Sequence, residues 1–164
     1  MRKIVLIVHN VRSCHNVGSL LRTADGLGVT KVYLTGYTPY PSEPGDKRLP
    51  HEAAKVHKQI QKTALGAEAS VPWHSAADIY KVITQLKADG YLVAAIEQQD
   101  QALSLPDWKP PGKVALIVGR ETDGIEQEVL KVCDLAVEIP MFGKKESFNV
   151  VQAAAMALYH CRFS

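Results

Sequence analysis

Three short stretches of this 164-residue chain combine charge-handling residues with glycines that let a backbone turn tightly. The first, His15-Asn16-Val17-Gly18-Ser19-Leu20-Leu21-Arg22-Thr23, puts a guanidinium one helical turn after Gly18, and Ser19 and Arg22 share a face by the i, i+3 rule. The second, Gly119-Arg120-Glu121-Thr122-Asp123-Gly124-Ile125, brackets the Glu121 carboxylate with two glycines. The third, Ile139-Pro140-Met141-Phe142-Gly143-Lys144-Lys145-Glu146-Ser147-Phe148-Asn149, ends in a Ser-x-Asn pair before an alanine-rich segment. A guanidinium can clamp phosphate or stabilise a developing oxyanion, and turns of this kind present backbone groups to a small ligand. Each residue also has a purely structural reading: Asn16 or Ser147 as a helix N-cap, Glu121 as a first-turn acid, the glycines as turn formers. Their joint occurrence favours a site, because independent caps need not converge on one crevice.

The elements that must carry them are legible from hydrophobic patterning. Apolar runs rich in β-branched residues at Lys3–Val8, Lys31–Thr35, Ala69–Trp73, Tyr91–Ile96, Val114–Val118 and Leu135–Ile139 read as strands buried on both faces. Segments at Val17–Leu27, His51–Ala64, Ala76–Asp89, Gln127–Val132 and about Phe148–Cys161 have helical spacing. This alternation predicts one α/β domain with a mostly parallel sheet and helices on both faces, whose ligand crevice lies at the carboxyl ends of the strands. All three chemical stretches follow a predicted strand. Proline-rich Tyr37–Pro50, with Lys47, Arg48 and His51 beside it, and Gln98–Gly112 read as loops.

Several function classes are excluded. The first strand is not followed by G-x-G-x-x-G, and neither a G-x-x-x-x-G-K-[ST] loop nor a G-x-S-x-G elbow occurs. The six histidines are scattered without ligand-like pairing, and Cys14, Cys133 and Cys161 form no CxxC pair, so no metal site is expected. Unpaired cysteines and the absence of a long apolar run predict a cytoplasmic protein with reduced thiols and no membrane association. Net charge is only +2, but residues 1–62 hold ten Lys/Arg against four Asp/Glu, which hints at a polyanionic partner.

Taken in order, the three stretches resemble the motifs of the SpoU (TrmH-like) RNA ribose methyltransferases of the SPOUT superfamily. Asn16, Gly18, Arg22 and Thr23 match N-x-G-x-x-x-R-[TN]. Gly119, Glu121, Gly124 and Ile125 match G-x-E-x-x-G-[IL]. Ile139, Pro140, Met141, Gly143, Ser147, Asn149 and Val150 match the third motif, I-P-M-x-G-x-x-x-S-x-N-V. The likeness runs from about Lys3 to Tyr159. Arg120 and Phe148 depart from the commoner residues at their positions, which bears on substrate preference and not on the reaction.

The resemblance implies a SPOUT fold with a C-terminal trefoil knot, S-adenosylmethionine as cofactor, and a homodimer with active sites at the subunit interface. It also implies transfer of a methyl group to a ribose 2′-hydroxyl in RNA. Within that reading Arg22, Asn16, Glu121, Ser147 and Asn149 carry catalysis, and Ile96, Gly119, Ile139, Met141 and Ser147 hold the cofactor. A guanidinium resists deprotonation, so Arg22 is expected to clamp a phosphate and stabilise alkoxide and not to act as a base. Asn16 would steady the arginine or the ribose, and Glu121 would orient basic groups of a neighbouring subunit or of the RNA. No appended RNA-binding domain is expected, and transfer RNA is slightly favoured over ribosomal RNA. The competing readings are a SPOUT-like base methyltransferase and a non-catalytic RNA-binding dimer.

Overall fold

The sheet is built around β1 (Lys3–His9), whose apolar run alternates between two cores. Ile4, Leu6 and Val8 face one side; Val5 and Ile7 face the other. In the computed structural model, which describes residues 1–164, β1 joins β2 (Lys31–Thr35), β3 (Trp73–Ala76), β4 (Leu92–Ile96), β5 (Leu103–Ser104), β6 (Lys113–Val118) and β7 (Leu135–Glu138). These make one seven-stranded sheet in the order β3-β2-β1-β6-β4-β7-β5. Every pairing is parallel. On the first face lie α1 (Cys14–Gly26), α2 (Pro50–Ala64), the short α3 (Ala67–Ser70) and α6 (Val150–Phe163); α4 (Ile79–Ala88) and α5 (Gln127–Val132) cover the second. The expected parallel α/β sheet with helices on both faces is what the chain forms.

Strand order reverses beside β1. The chain moves outward through β2 and β3, then returns to lay β6 and β4 on the other flank, and such a switch point opens a crevice at the strand ends. Register keeps those ends level: Val8 pairs with Val118, Ala95 with Ile117 and Ile96 with Val137. The segments after β1, β4, β6 and β7 therefore emerge side by side.

Local chemistry shifts several expected boundaries. Ala69–Trp73 is not a strand; Gly66, at φ 99°, starts α3, and pairing begins at Trp73 after Pro72, which has no N–H to give. Asn16 is not the cap of α1. Ser13 is, accepting from Asn16 N at 3.1 Å, which adds a turn at the front of the helix and frees the Asn16 side chain. Asp78, not Ala76, opens α4 by accepting from Tyr80 N and Lys81 N. The Gln98–Gly112 connection contains the two-residue edge strand β5, too short to show as a pattern.

One close contact seats α1 on α2, and one side chain folds the loop before α2. A Cβ on Gly18 would lie 2.1 Å from Thr63 Oγ1 and 2.3 Å from the Ile60 carbonyl, so α1 and α2 meet where only glycine fits. In the Tyr37–Pro50 loop Arg48 is a staple: it donates to the Tyr40 and Pro41 carbonyls at 2.8 and 2.9 Å, pairs with Asp46 at 2.6 Å and lies 3.6 Å over the Tyr40 ring. That pairing holds the Asp46 carboxyl well below the usual carboxylate range. Burial pushes the Cys133 thiol up to about 11 and Cys161 up to about 12, which suits unreactive, reduced cysteines. No helix is long and apolar enough to cross a membrane.

Candidate active site

A cleft of about 260 Å³ opens where β4, β6 and β7 end, closed on its last side by the start of α6. Ile96, Val118, Ile139 and Phe148 supply its apolar wall; Glu97, Glu121, Asp123 and Glu146 supply carboxylates, with Arg120 the one cationic side chain in the lining. The electrostatic balance is thus negative. Such a cleft disfavours a phosphate-bearing nucleotide and favours a ligand that carries positive charge.

The Gly119–Gly124 turn makes the cleft. Arg120 and Gly124 exchange backbone hydrogen bonds of 3.1 Å, closing a loop whose apex is Glu121, Thr122 and Asp123. Both glycines are required by space: a Cβ on Gly119 would lie 2.6 Å from the Ile125 side chain, and one on Gly124, at φ +69°, would lie 2.1 Å from Glu97 Oε2. Glu97 fastens the turn from below by accepting from Ile125 N at 2.8 Å and from Gln98 N at 3.1 Å.

Glu121 reaches out of the turn to the β1–α1 corner. It accepts from Ser13 N at 3.1 Å, Arg12 N at 3.3 Å and Asn16 Nδ2 at 3.3 Å. Partial burial alone would raise its carboxyl. The N–H groups of Ser13, Glu121 itself and Arg12, with the Asn16 amide, outweigh that effect and hold it below the ordinary value. These donors all belong to its own chain.

The structure gathers Ile96, Gly119, Glu121, Ile139 and Ser147 around the cleft and ties Asn16 to Glu121. Met141 and Asn149 do not line it, and Asn149 Oδ1 caps α6 by accepting from Val151 N at 2.8 Å. Arg22 sits apart, exposed on α1 and without a hydrogen bond or ion pair in the chain.

Sequence reading missed Glu97 and a second polar cluster beside the cleft. Buried His9 lies 2.9 Å from Thr35 Oγ1 and 3.1 Å from Glu126 Oε2, and Asn10 Nδ2 donates to Glu126 Oε1 at 2.9 Å. Arg120 Nε stands 3.9 Å from the same carboxylate. Burial lowers the pKa of His9 more than Glu126 raises it. The available signal was positional: Glu97 directly follows β4, and His9 and Asn10 end β1, both at the crevice edge. No three His, Cys, Asp or Glu side chains are grouped as metal ligands would be.

An all-parallel sheet with an acidic cleft at the ends of β4, β6 and β7, and a Glu-bearing turn bound to the β1–α1 corner, is the arrangement in which the three motifs meet. The chain belongs to the SpoU rRNA Methylase family, which it matches over residues 3–159. It is 31% identical over 159 residues to the 23S rRNA (guanosine-2′-O-)-methyltransferase RlmB of Neisseria meningitidis; the match takes in 97% of this chain and 58% of that protein. The fold resembles that of the AdoMet-bound rRNA methyltransferase from Sinorhizobium meliloti, with a TM-score of 0.81 and 22% identity, over 98% of this chain and 56% of the other. It also resembles a TrmH/SpoU tRNA modifying enzyme from A. aeolicus, with a TM-score of 0.78 and 21% identity, over 99% of this chain and 75% of that one. The chain thus spans little more than half the length of the curated relative.

Proposed function

We propose that this chain transfers the methyl group of S-adenosylmethionine to a ribose 2′-hydroxyl of RNA. The observation that carries the reading is the acidic cleft that the second and third motif stretches form with the end of β4, and to which Glu121 ties Asn16 of the first: Glu97, Glu121, Asp123 and Glu146 stand beside the apolar Ile96, Ile139 and Phe148. Carboxylates suit the sulfonium and ammonium of the cofactor, and the aliphatic and aromatic walls suit adenine. Gly119 and Gly124 let the turn close against Ile125 and Glu97 and so shape the rim of the cleft. When bound, the cofactor supplies an electrophilic methyl on a good leaving group, so catalysis rests on alignment and charge placement.

The side chains divide that work. Glu121 fixes the β1–α1 corner and, with it, Asn16 and the helix that carries Arg22. Arg22 clamps the phosphate next to the target ribose and stabilises the developing alkoxide. Ser147 stands at the cleft rim beside the reacting ribose. Because Arg22 lies outside the cleft of its own chain, the reading includes a homodimer in which it serves the partner's cleft. The exposed Tyr159 and Phe163 of α6, with ring centroids 4.7 Å apart beside Met156, Leu105 and Pro106, support such a second copy.

Ribosomal RNA is the favoured substrate, in place of the transfer RNA first expected, on the strength of the relatives named for 23S rRNA. Incubation with S-adenosylmethionine and either ribosomal or transfer RNA, followed by nucleoside mass spectrometry, tests the reading. A 2′-O-methylated nucleoside from ribosomal RNA is expected. A methylated base with unmodified ribose would assign the chain to the base-methylating class, and no product with no cofactor binding by calorimetry would leave an RNA-binding dimer.

A further inference from the structure

The outer face of α2 carries His51, Lys55, Lys58 and Lys62, spaced i, i+4, i+7, i+11 and therefore in one stripe. Ala53, Ile60 and Ala64 turn the opposite side of the helix into the core, and the stripe faces solvent. A solvated helix face commonly interleaves lysine with glutamate one turn away. Here Lys55 and Lys58, and Lys58 and Lys62, are like-charge neighbours, which weakens the helix. None of the three lysines forms an ion pair; all six ion pairs in the chain lie elsewhere. Glu52, three residues before Lys55, makes no ion pair with it, and a stripe of like charges that pairs with no acid in its own chain is matched to a polyanion outside it.

Its position gives the partner a direction. Thr63, next to Lys62, donates to the His15 carbonyl at 2.7 Å, so the stripe ends against the first turn of α1. Exposed Arg12 begins the same corner, which Glu121 ties to the acidic cleft, and exposed Arg22 lies farther along α1. Lys55 to Lys62 covers about 10 Å of helix axis, over which one nucleic-acid strand presents about three phosphates.

We infer that the Lys55–Lys58–Lys62 stripe of α2 is an RNA-docking surface that tracks the phosphate backbone and leads the substrate to the β1–α1 corner. The inference rests on the proposed activity for its choice of polyanion. Contacts of this kind position without reading sequence, so the stripe supplies affinity and orientation, and nucleotide choice is made at the cleft.

The test compares the parent with Lys55→Gln/Lys58→Gln/Lys62→Gln and with Lys81→Gln/Lys87→Gln/Lys131→Gln, whose lysines belong to α4 and α5 on the other face. The probe is a fluorescent RNA hairpin of mixed sequence, titrated across a range of potassium chloride. The α2 variant is expected to lose about 0.9 of log-log salt slope per lysine, and on the order of a hundredfold in affinity near physiological salt, while the control triple stays near the parent. Its melting temperature is expected to hold or rise, since two like-charge pairs are relieved, and calorimetric binding of S-adenosylmethionine is expected to match the parent. Parental RNA affinity and slope in the α2 variant, with methylation intact in the parent, would overturn the stripe and leave the activity standing. Equal losses in both triples would show a general charge effect and overturn it as well. Loss of binding to polyglutamate with RNA binding intact would assign the face to an acidic protein instead. RNA binding through these lysines by a parent that neither binds cofactor nor methylates would sink the activity alone.

Discussion

Glu121→Ala removes the one side chain that joins the cleft turn to the β1–α1 corner. Three donors lose their acceptor: Ser13 N at 3.1 Å, Arg12 N at 3.3 Å and Asn16 Nδ2 at 3.3 Å. Hydrogen bonds to a charged group contribute about 1.5–3 kcal/mol each when buried, but Glu121 is exposed and its bonds are long, so about 0.5–1 kcal/mol each is appropriate. The corner then loses about 1.5–3 kcal/mol of preference for its bound geometry, and a rate that requires that geometry falls roughly ten- to a hundredfold. Glu121→Gln should fall between, because one amide oxygen can still accept from Ser13 and Asn16 while its NH2 confronts the Arg12 N–H. Single-turnover methylation at saturating RNA and cofactor is the assay. Because the folded carboxyl sits below its unfolded value, its contribution is complete above about pH 4.5 and is lost as pH falls through the folded pKa. The stability gap between parent and Glu121→Ala, followed by thermal melting, should therefore narrow in acid. Parental rate in Glu121→Ala, or a gap that widens in acid, would refute the clamp.

Arg22→Ala should lose about 10²–10³ in single-turnover rate with cofactor affinity kept, and Arg22→Lys should recover little; mixing it with an inactive Ser147→Ala variant should restore up to about a quarter of parental activity if Arg22 acts across a dimer, and none if it acts within its own chain. Gly18→Ala should lower the melting temperature by several degrees, since its Cβ meets the Ile60 carbonyl and overpacking costs about 1–3 kcal/mol, whereas Gly26→Ala, with nothing within 4 Å, should not. His9 is held more neutral by burial than in the unfolded chain, so its contribution is present above about pH 6.5 and is lost as pH falls through the lower folded value. Melting curves between neutral and mildly acidic pH should accordingly be flatter in His9→Gln than in the parent.

What the sequence determined by itself is what local spacing can encode. The β-branched runs placed five of the seven strands, and Lys31–Thr35 and Gln127–Val132 have their expected limits, because a strand buried on both faces and an amphipathic turn each leave a pattern in consecutive residues. Motif order identified the cleft-forming turns. Ala69–Trp73 was misread because an apolar run of five does not distinguish a short helix before a proline from a strand; Gly66 and Pro72 decided it. Ser13 displaced Asn16 as the cap since both are good capping residues and only the path out of β1 selects between them. The remaining decisions belong to the tertiary structure. Glu121 meets Ser13 across a separation of 108 residues, His9 meets Glu126 across 117, and Arg48 is consumed by its own loop and not offered to a polyanion. No periodicity records such pairs. They arise because parallel register brings the ends of β1, β4, β6 and β7 level, and a carboxylate takes whichever donors that alignment leaves unpaired.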